Sequence, residues 1–228
     1  MSEVNTNHKP IEASLLKRCA AIGSSTWADA LDVVGIHGVV QGVTQRAGQG
    51  RVMGEAVTAR HQWGQLGEFD RADFAVGQLV AATGPNKILV VDVGGQAIST
   101  FGGIASTAAS LRGATAVMID GACRDVDEIQ AIGLWMASRH VTPLTGKTRL
   151  QLQELGGRVM LGGVGVEQGD LIVGDDTGIV VIPRERLEEV LVAAEHALAI
   201  DEKVESAVRK GVPFAEAAAA ANYIPAKA

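Results

Sequence analysis

Aromatic side chains are scarce, at 4% of 228 residues. A core must therefore be filled with Val, Ile, Leu and Ala rather than with large rings. Cysteine is nearly missing: Cys19 and Cys123 stand far apart and fit no metal-ligand spacing, which points to a reduced, cytoplasmic setting. The five histidines (His8, His37, His61, His140 and His196) show neither H-x-x-x-H nor H-E-x-x-H spacing, which argues against a zinc centre. Positive charge is in deficit, with 20 Lys and Arg against 26 Asp and Glu, a formal balance of -6. A general nucleic-acid binder needs the opposite balance to displace counterions. No apolar run reaches the roughly 18 residues that a membrane span needs. The opening MSEVNTNHKPIEAS has no apolar core of a secretory leader. There is no G-x-S-x-G elbow, and VVDVGG continues as GGQA, without the G-x-G of a dinucleotide or adenosyl loop.

What is abundant is apolar residues, at 47%, and glycine, at 28 positions. Residues 1–10 read as a disordered lead. Helical spacing is expected over 11–22, over 24–35 with Ser24, Ser25 and Thr26 as capping candidates and Gly35 as the stop, and over 70–83. RVMGEAVTARHQ (51–62) alternates as a strand does. KILVVDV (87–93) and ATAVMID (114–120) are continuous apolar runs, the pattern of strands buried on both faces. Between them FGGIASTAASLRG (101–113) reads as a helix, and GACRDVDEIQAIG (121–133) as a loop entering another before the strand LWMASR (134–139). This rhythm predicts an α/β unit with parallel central strands and right-handed crossovers. After residue 155, short strands alternate with Gly-rich turns, and a long helix is expected from Pro183 to about Lys210. The expected organisation is one domain over 11–210 with a helical tail over 211–228, without internal repeats.

In such a unit, ligands sit beyond the carboxyl ends of the strands. Three loops meet there: Asp92 to Gly95, Asp120 to Asp125, and the helix start at Gly102-Gly103. Gly102 and Gly103 either bring backbone N–H groups up to an anion or merely serve a turn. Arg124 offers a permanent planar charge for a carboxylate or enolate, and Asp125 a hard oxygen of the kind Mg²⁺ prefers. The competing reading is that Asp125 and Glu128 form a D-x-x-E capping pattern for the helix that follows. Asp175-Asp176 falls in a turn and reads as structural.

The run FGGIASTAASLRGATAVMIDGACRDVDEI, with VTPLTGK, GGVGVEQGDLIVGDDTGIVVIP, WADALDVVG and GRVMGEAVTAR, resembles the RraA-like family. That family includes the 4-hydroxy-4-methyl-2-oxoglutarate/4-carboxy-4-hydroxy-2-oxoadipate aldolases. The resemblance spans about residues 25–210. It implies a β/β/α swivelling-domain fold with a helical C-terminal extension, assembled as a homotrimer or homohexamer with the site between subunits. It further implies Mg²⁺ or Mn²⁺ at Asp125, Arg124 on the pyruvate part of the substrate, and the amides of Gly102, Gly103 and Ile104 on substrate oxygens. The activity implied is a class II retro-aldol cleavage of a 4-hydroxy-2-oxo acid to pyruvate, with oxaloacetate decarboxylation on the side. Non-catalytic regulators of RNase E in this family lack the R-D pair. A lyase or hydratase on another 2-oxo or hydroxy acid is a further option. Several aldolases carry an acidic residue where this chain has Gly103, and the HQWGQLGEF segment (61–69) also departs from the family. Glu202 is a candidate carboxylate donated by a neighbouring subunit, or a solvated residue on a helix face.

Overall fold

A computed structural model describes residues 10–223. The polar lead, apart from Pro10, and the last five residues of the tail lie outside the described residues. The centre is a mixed sheet containing β1 (Thr44–Ala47), β2 (Val52–Trp63), β3 (Lys87–Asp92), β5 (Ala116–Cys123), β6 (Trp135–Val141), β10 (Leu171–Gly174) and β11 (Ile179–Ile182), in the order β1-β6-β5-β3-β2-β10-β11. Strands β2, β3, β5 and β6 run parallel, as the buried apolar runs predict, while β1, β10 and β11 pair antiparallel.

Both faces of the parallel strands are covered. Leu89, Val91, Val117 and Ile119 pack toward α3 (Val76–Ala82), α4 (Gly103–Leu111) and α5 (Val126–Ile132). Ile88, Val90, Ala116 and Met118 face a small hairpin, β8 (Val159–Leu161) with β9 (Val164–Val166). Fully burying one such aliphatic side chain stabilises by about 1.5–3 kcal/mol. With apolar residues on either side, polarity alone does not fix the register. The acids at the strand ends do so. Asp92 lies opposite Asp120, and slipping either strand would drag a carboxylate into the aliphatic layer.

A third cluster forms where α1 (Ala13–Ala20), α2 (Ser24–Val33) and α6 (Leu187–Arg209) cover β10 and β11. The tail continues into α7 (Phe214–Ala220), which packs on α6. No helix among the described residues is long and apolar enough to cross a membrane.

Several elements differ from the expected ones. The helix over 70–83 is broken at Ala75, whose φ of +48° divides a 3-10 turn, Arg71–Phe74, from α3. The helix expected from Phe101 starts at Gly103, because 99–101 form a short strand, β4 (Ser99–Phe101), parallel to β5. A further strand, β7 (Leu150–Leu155), pairs antiparallel with β2. Pro183 opens a 3-10 turn, Arg184–Arg186, and α6 begins only at Leu187. Gly23 rather than a hydroxyl residue holds the N-cap position of α2. The capping acceptor comes from far away in the chain: Asp175 accepts from the Ser24 N–H (3.0 Å) and from its hydroxyl (2.6 Å). The expected structural role of Asp175 is thereby met.

Candidate active site

Pairing of β4 with β5 assembles the site. The Arg124 N–H donates to the Phe101 carbonyl at 3.0 Å, which sets Gly102-Gly103 beside Arg124-Asp125 although 20 residues and more separate them in the chain. Gly102 is the N-cap of α4, and the first helical bond runs from the Ser106 N–H to its carbonyl. The amides of Gly103, Ile104 and Ala105 therefore have no partner within the helix and point where an anion is favoured.

Asp125 occupies the N-cap position of α5 in left-handed conformation (φ +54°, ψ +43°), a region that Asp tolerates better than most residues. Its carboxylate does not cap that helix. Instead Oδ2 accepts from the Gly103 N–H of α4 at 3.1 Å and lies 3.5 Å from Arg124 Nε. The two side chains are 36% and 35% exposed, so the pair is open to a ligand. The D-x-x-E capping reading of the sequence is thus replaced by a bridge between helices. The Gly103 amide, expected on the substrate, is already engaged by Asp125, which leaves Ile104 and Ala105 at the head of the helix.

Glu128 was not singled out as a site residue by sequence reasoning. Exposed on the first turn of α5, it sends its carboxylate across to α4. A Cβ on Gly103 would overlap Glu128 Oε2, and a Cβ on Gly102 would overlap Asp125 Oδ2 and come within 2.9 Å of Arg124 Nε. The two glycines are the space these side chains fill. The space beside Gly103 is thus occupied by an acid that comes over from α5. The available signal was the D-x-x-E spacing, set aside as a cap.

Two neighbouring acids are spent on structure. Asp92 accepts from the Gly94 N–H (2.8 Å) and the Met160 N–H (2.9 Å). Asp120 accepts from the Gly162 N–H (2.8 Å) and from Arg139 Nε (2.6 Å). Their role is to lash the β8–β9 hairpin to the sheet. The carboxylate partner holds the Arg139 guanidinium above its ordinary pKa. Burial pushes the Cys123 thiol up as well, against a reactive thiolate beside the site. Glu202 is exposed on α6, in the layer that covers β10 and β11, and not among the elements that build the Arg124–Asp125 pair.

A cavity of about 300 Å³ opens beside the pair. Arg124, Gly102 and Ile104 line it together with apolar residues of α3 and α4. Among the described residues, no group of three or more His, Cys, Asp or Glu side chains is placed to hold a metal. The donor set at this site is the carboxylates of Asp125 and Glu128, which reach the start of α4 from α5 next to the cavity's Arg124 and Gly102. That suits Mg²⁺, a hard ion that takes one or two carboxylates and fills its remaining positions with water and substrate oxygens.

A family model of the RraA-like proteins, described as Aldolase/RraA, matches residues 24–181. The chain belongs to the RraA-like family. Uncharacterized protein MJ0644 of Methanocaldococcus jannaschii is 34% identical over 166 residues, 70% of this chain and 74% of its own. A protein of Halalkalibacterium halodurans, which carries the provisional name 4-hydroxy-4-methyl-2-oxoglutarate aldolase, is 27% identical over 88% of this chain and 91% of its own. Among solved structures, Streptomyces coelicolor RraAS2, described as an unusual member of the RNase ES inhibitor RraA protein family, superposes with a TM-score of 0.77. It is 24% identical and covers 88% of this chain and 100% of its own, a likeness of fold. The mixed sheet with its C-terminal helices is the RraA-like architecture that the sequence resemblance implied.

Proposed function

We propose that this RraA-like chain is a divalent-metal-dependent carbon–carbon lyase that cleaves a 4-hydroxy-2-oxo acid to pyruvate and a carbonyl compound. The observation that carries this is the convergence of Asp125, Glu128 and Arg124 on the Gly102-Gly103 start of α4. Asp125 and Glu128 would hold Mg²⁺ or Mn²⁺. When bound, the ion supplies Lewis-acid polarisation of the substrate's C2 carbonyl.

The protein's own groups do the rest. The Ile104 and Ala105 amides and the α4 dipole receive the oxygens of the C1 carboxylate. Arg124 faces the oxygen that gains charge as the C3–C4 bond breaks, a permanent cation that stabilises the enolate more than the ground-state ketone. Asp125, fixed by the Gly103 N–H, stays aimed across the site without reorganising. Oxaloacetate losing CO₂ passes through the same enolate, so decarboxylation belongs to the same machinery. In this reading the chains assemble as a trimer or a pair of trimers in the cytoplasm. Within one chain Glu202 is remote from the pair, so it would reach the site only from a neighbouring subunit and is otherwise a solvated residue on the α6 face.

The direct test is oxaloacetate decarboxylation with and without a chelator. Activity that disappears with EDTA and returns with Mg²⁺ supports the lyase. No turnover of any 2-oxo acid, together with capture of an RNase of the E type, would replace it with a regulatory binding protein.

A further inference from the structure

We propose that the apolar cavity beside Arg124 is a specificity pocket for the substituent at C4 of the substrate, and that it takes a branched aliphatic or aromatic group rather than a second carboxylate. This rests on the lyase reading and names its substrate class.

The cavity and the acid site share walls. Arg124 and Gly102 line both, so an acid head held there directs the rest of the molecule between α3 and α4. The remaining walls include Phe74, Val76, Val80, Phe101, Ala105 and Ala108. Small residues on α4 open the space, and larger ones opposite supply the contact. Its volume of about 300 Å³ equals that of roughly ten waters, enough for a phenyl ring or a branched chain. A carboxylate placed between these walls would lose its hydration without a charged partner. Of the two cations in the lining, Arg124 is paired with Asp125 and Lys147 is exposed. The Thr100 hydroxyl, also in the lining, is buried and without a hydrogen-bond partner among the described residues, so the wall holds one unspent polar contact.

With 4-hydroxy-4-phenyl-2-oxobutanoate the reaction balances without a co-reactant. The C4 hydroxyl gives its proton to water, the C3–C4 bond breaks and benzaldehyde leaves. The electron pair becomes the pyruvate enolate, which takes a proton at C3.

The experiment compares kcat/KM for this substrate and for oxaloacetate in the Mg²⁺-loaded protein, and measures binding of 2-oxo-4-phenylbutanoate, which carries its ring on C4 and has no hydroxyl to cleave, and of pyruvate by calorimetry. 2-Oxo-4-phenylbutanoate is expected to bind at least about tenfold more tightly than pyruvate. Ala108→Phe, which fills the cavity, should lower both the aryl-to-oxaloacetate ratio and this binding preference by about tenfold or more, and Val80→Ala, which widens it, should not lower them. A parallel loss on both substrates in Ala108→Phe would overturn the pocket. So would a changed oligomeric state with discrimination intact, which would make the cavity a subunit contact. Turnover of oxaloacetate with no preference for the aryl compounds removes the pocket and keeps the lyase. A preference for 2-oxo-4-phenylbutanoate with no turnover of either substrate keeps the pocket and removes the lyase.

Discussion

Two pairs of carboxylates stand near the carboxyl ends of the parallel strands and meet opposite fates. Asp92 and Asp120 are 8% and 5% exposed, and their oxygens are taken by backbone amides and Arg139. Asp125 and Glu128 stand farther along the chain, at the start of α5, with Asp125 one-third exposed and committed by one oxygen, Oδ2, to the Gly103 amide and to Arg124. The first pair has spent its hydrogen-bonding capacity on the fold. The second has kept it. An acid is a candidate for chemistry when its lone pairs are still available, and position beyond a strand end does not decide that alone.

Exchanging the consequences of the two pairs is the way to break this contrast. Asp125→Ala should lower kcat/KM for oxaloacetate by about 10³-fold or more, several kcal/mol of transition-state stabilisation, with little loss of fold. Asp120→Ala should do the reverse in a denaturant titration. It strands Arg139 and the Gly162 amide and should cost about 3 kcal/mol of stability, a loss that Asp125→Ala should not approach. If both variants unfold alike, the division between structural and available acids is wrong.

Smaller effects sharpen the contrast. Glu128→Gln should weaken Mn²⁺ binding by about tenfold while leaving thermal stability within about 0.5 kcal/mol, since the side chain is exposed. Gly103→Ala should weaken Mn²⁺ binding in the same direction, because its Cβ displaces the Glu128 carboxylate. Unchanged affinity in both would remove Glu128 from the ion's environment.

The smallest expected effect lies in the layer beneath the cavity. His61 is buried, hydrogen-bonded to the Phe74 carbonyl, and desolvation lowers its pKa below 6.5. A lowered histidine is neutral in both states at high pH, and the unfolded chain protonates first as pH falls. Stability should therefore decline as pH drops below about 6.5, by up to about 1 kcal/mol per pH unit in the window above the folded pKa. His61→Gln should flatten that slope in urea titrations at pH 7.5 and 5.5, and an identical slope in both proteins would remove this histidine as its source.

The strands that carry the site were legible because Ile88 to Val91 and Ala116 to Ile119 are unbroken apolar runs, the pattern of a doubly covered strand. Arg124 and Asp125 were legible as a pair at the end of such a strand. Strand β4 was not, because three residues carry no period. Nor was the break at Ala75, where the sequence has no glycine to announce a positive φ. Glu128 was hidden for a more instructive reason: the D-x-x-E spacing is shared by a capping box and by two carboxylates that reach over to a neighbouring helix. Only the bare flanks of Gly102 and Gly103, brought near by β4–β5 pairing, separate the two.

The most direct measurement is a calorimetric titration of Mn²⁺ into the wild-type protein and into Asp125→Asn, which keeps the shape and the left-handed backbone but removes the charge. Saturable binding at one ion per chain in the wild type and at least about a hundredfold weaker binding in the variant is the expected result. Equal affinity in the two proteins would contradict it and leave the arginine–aspartate pair without a metal to serve.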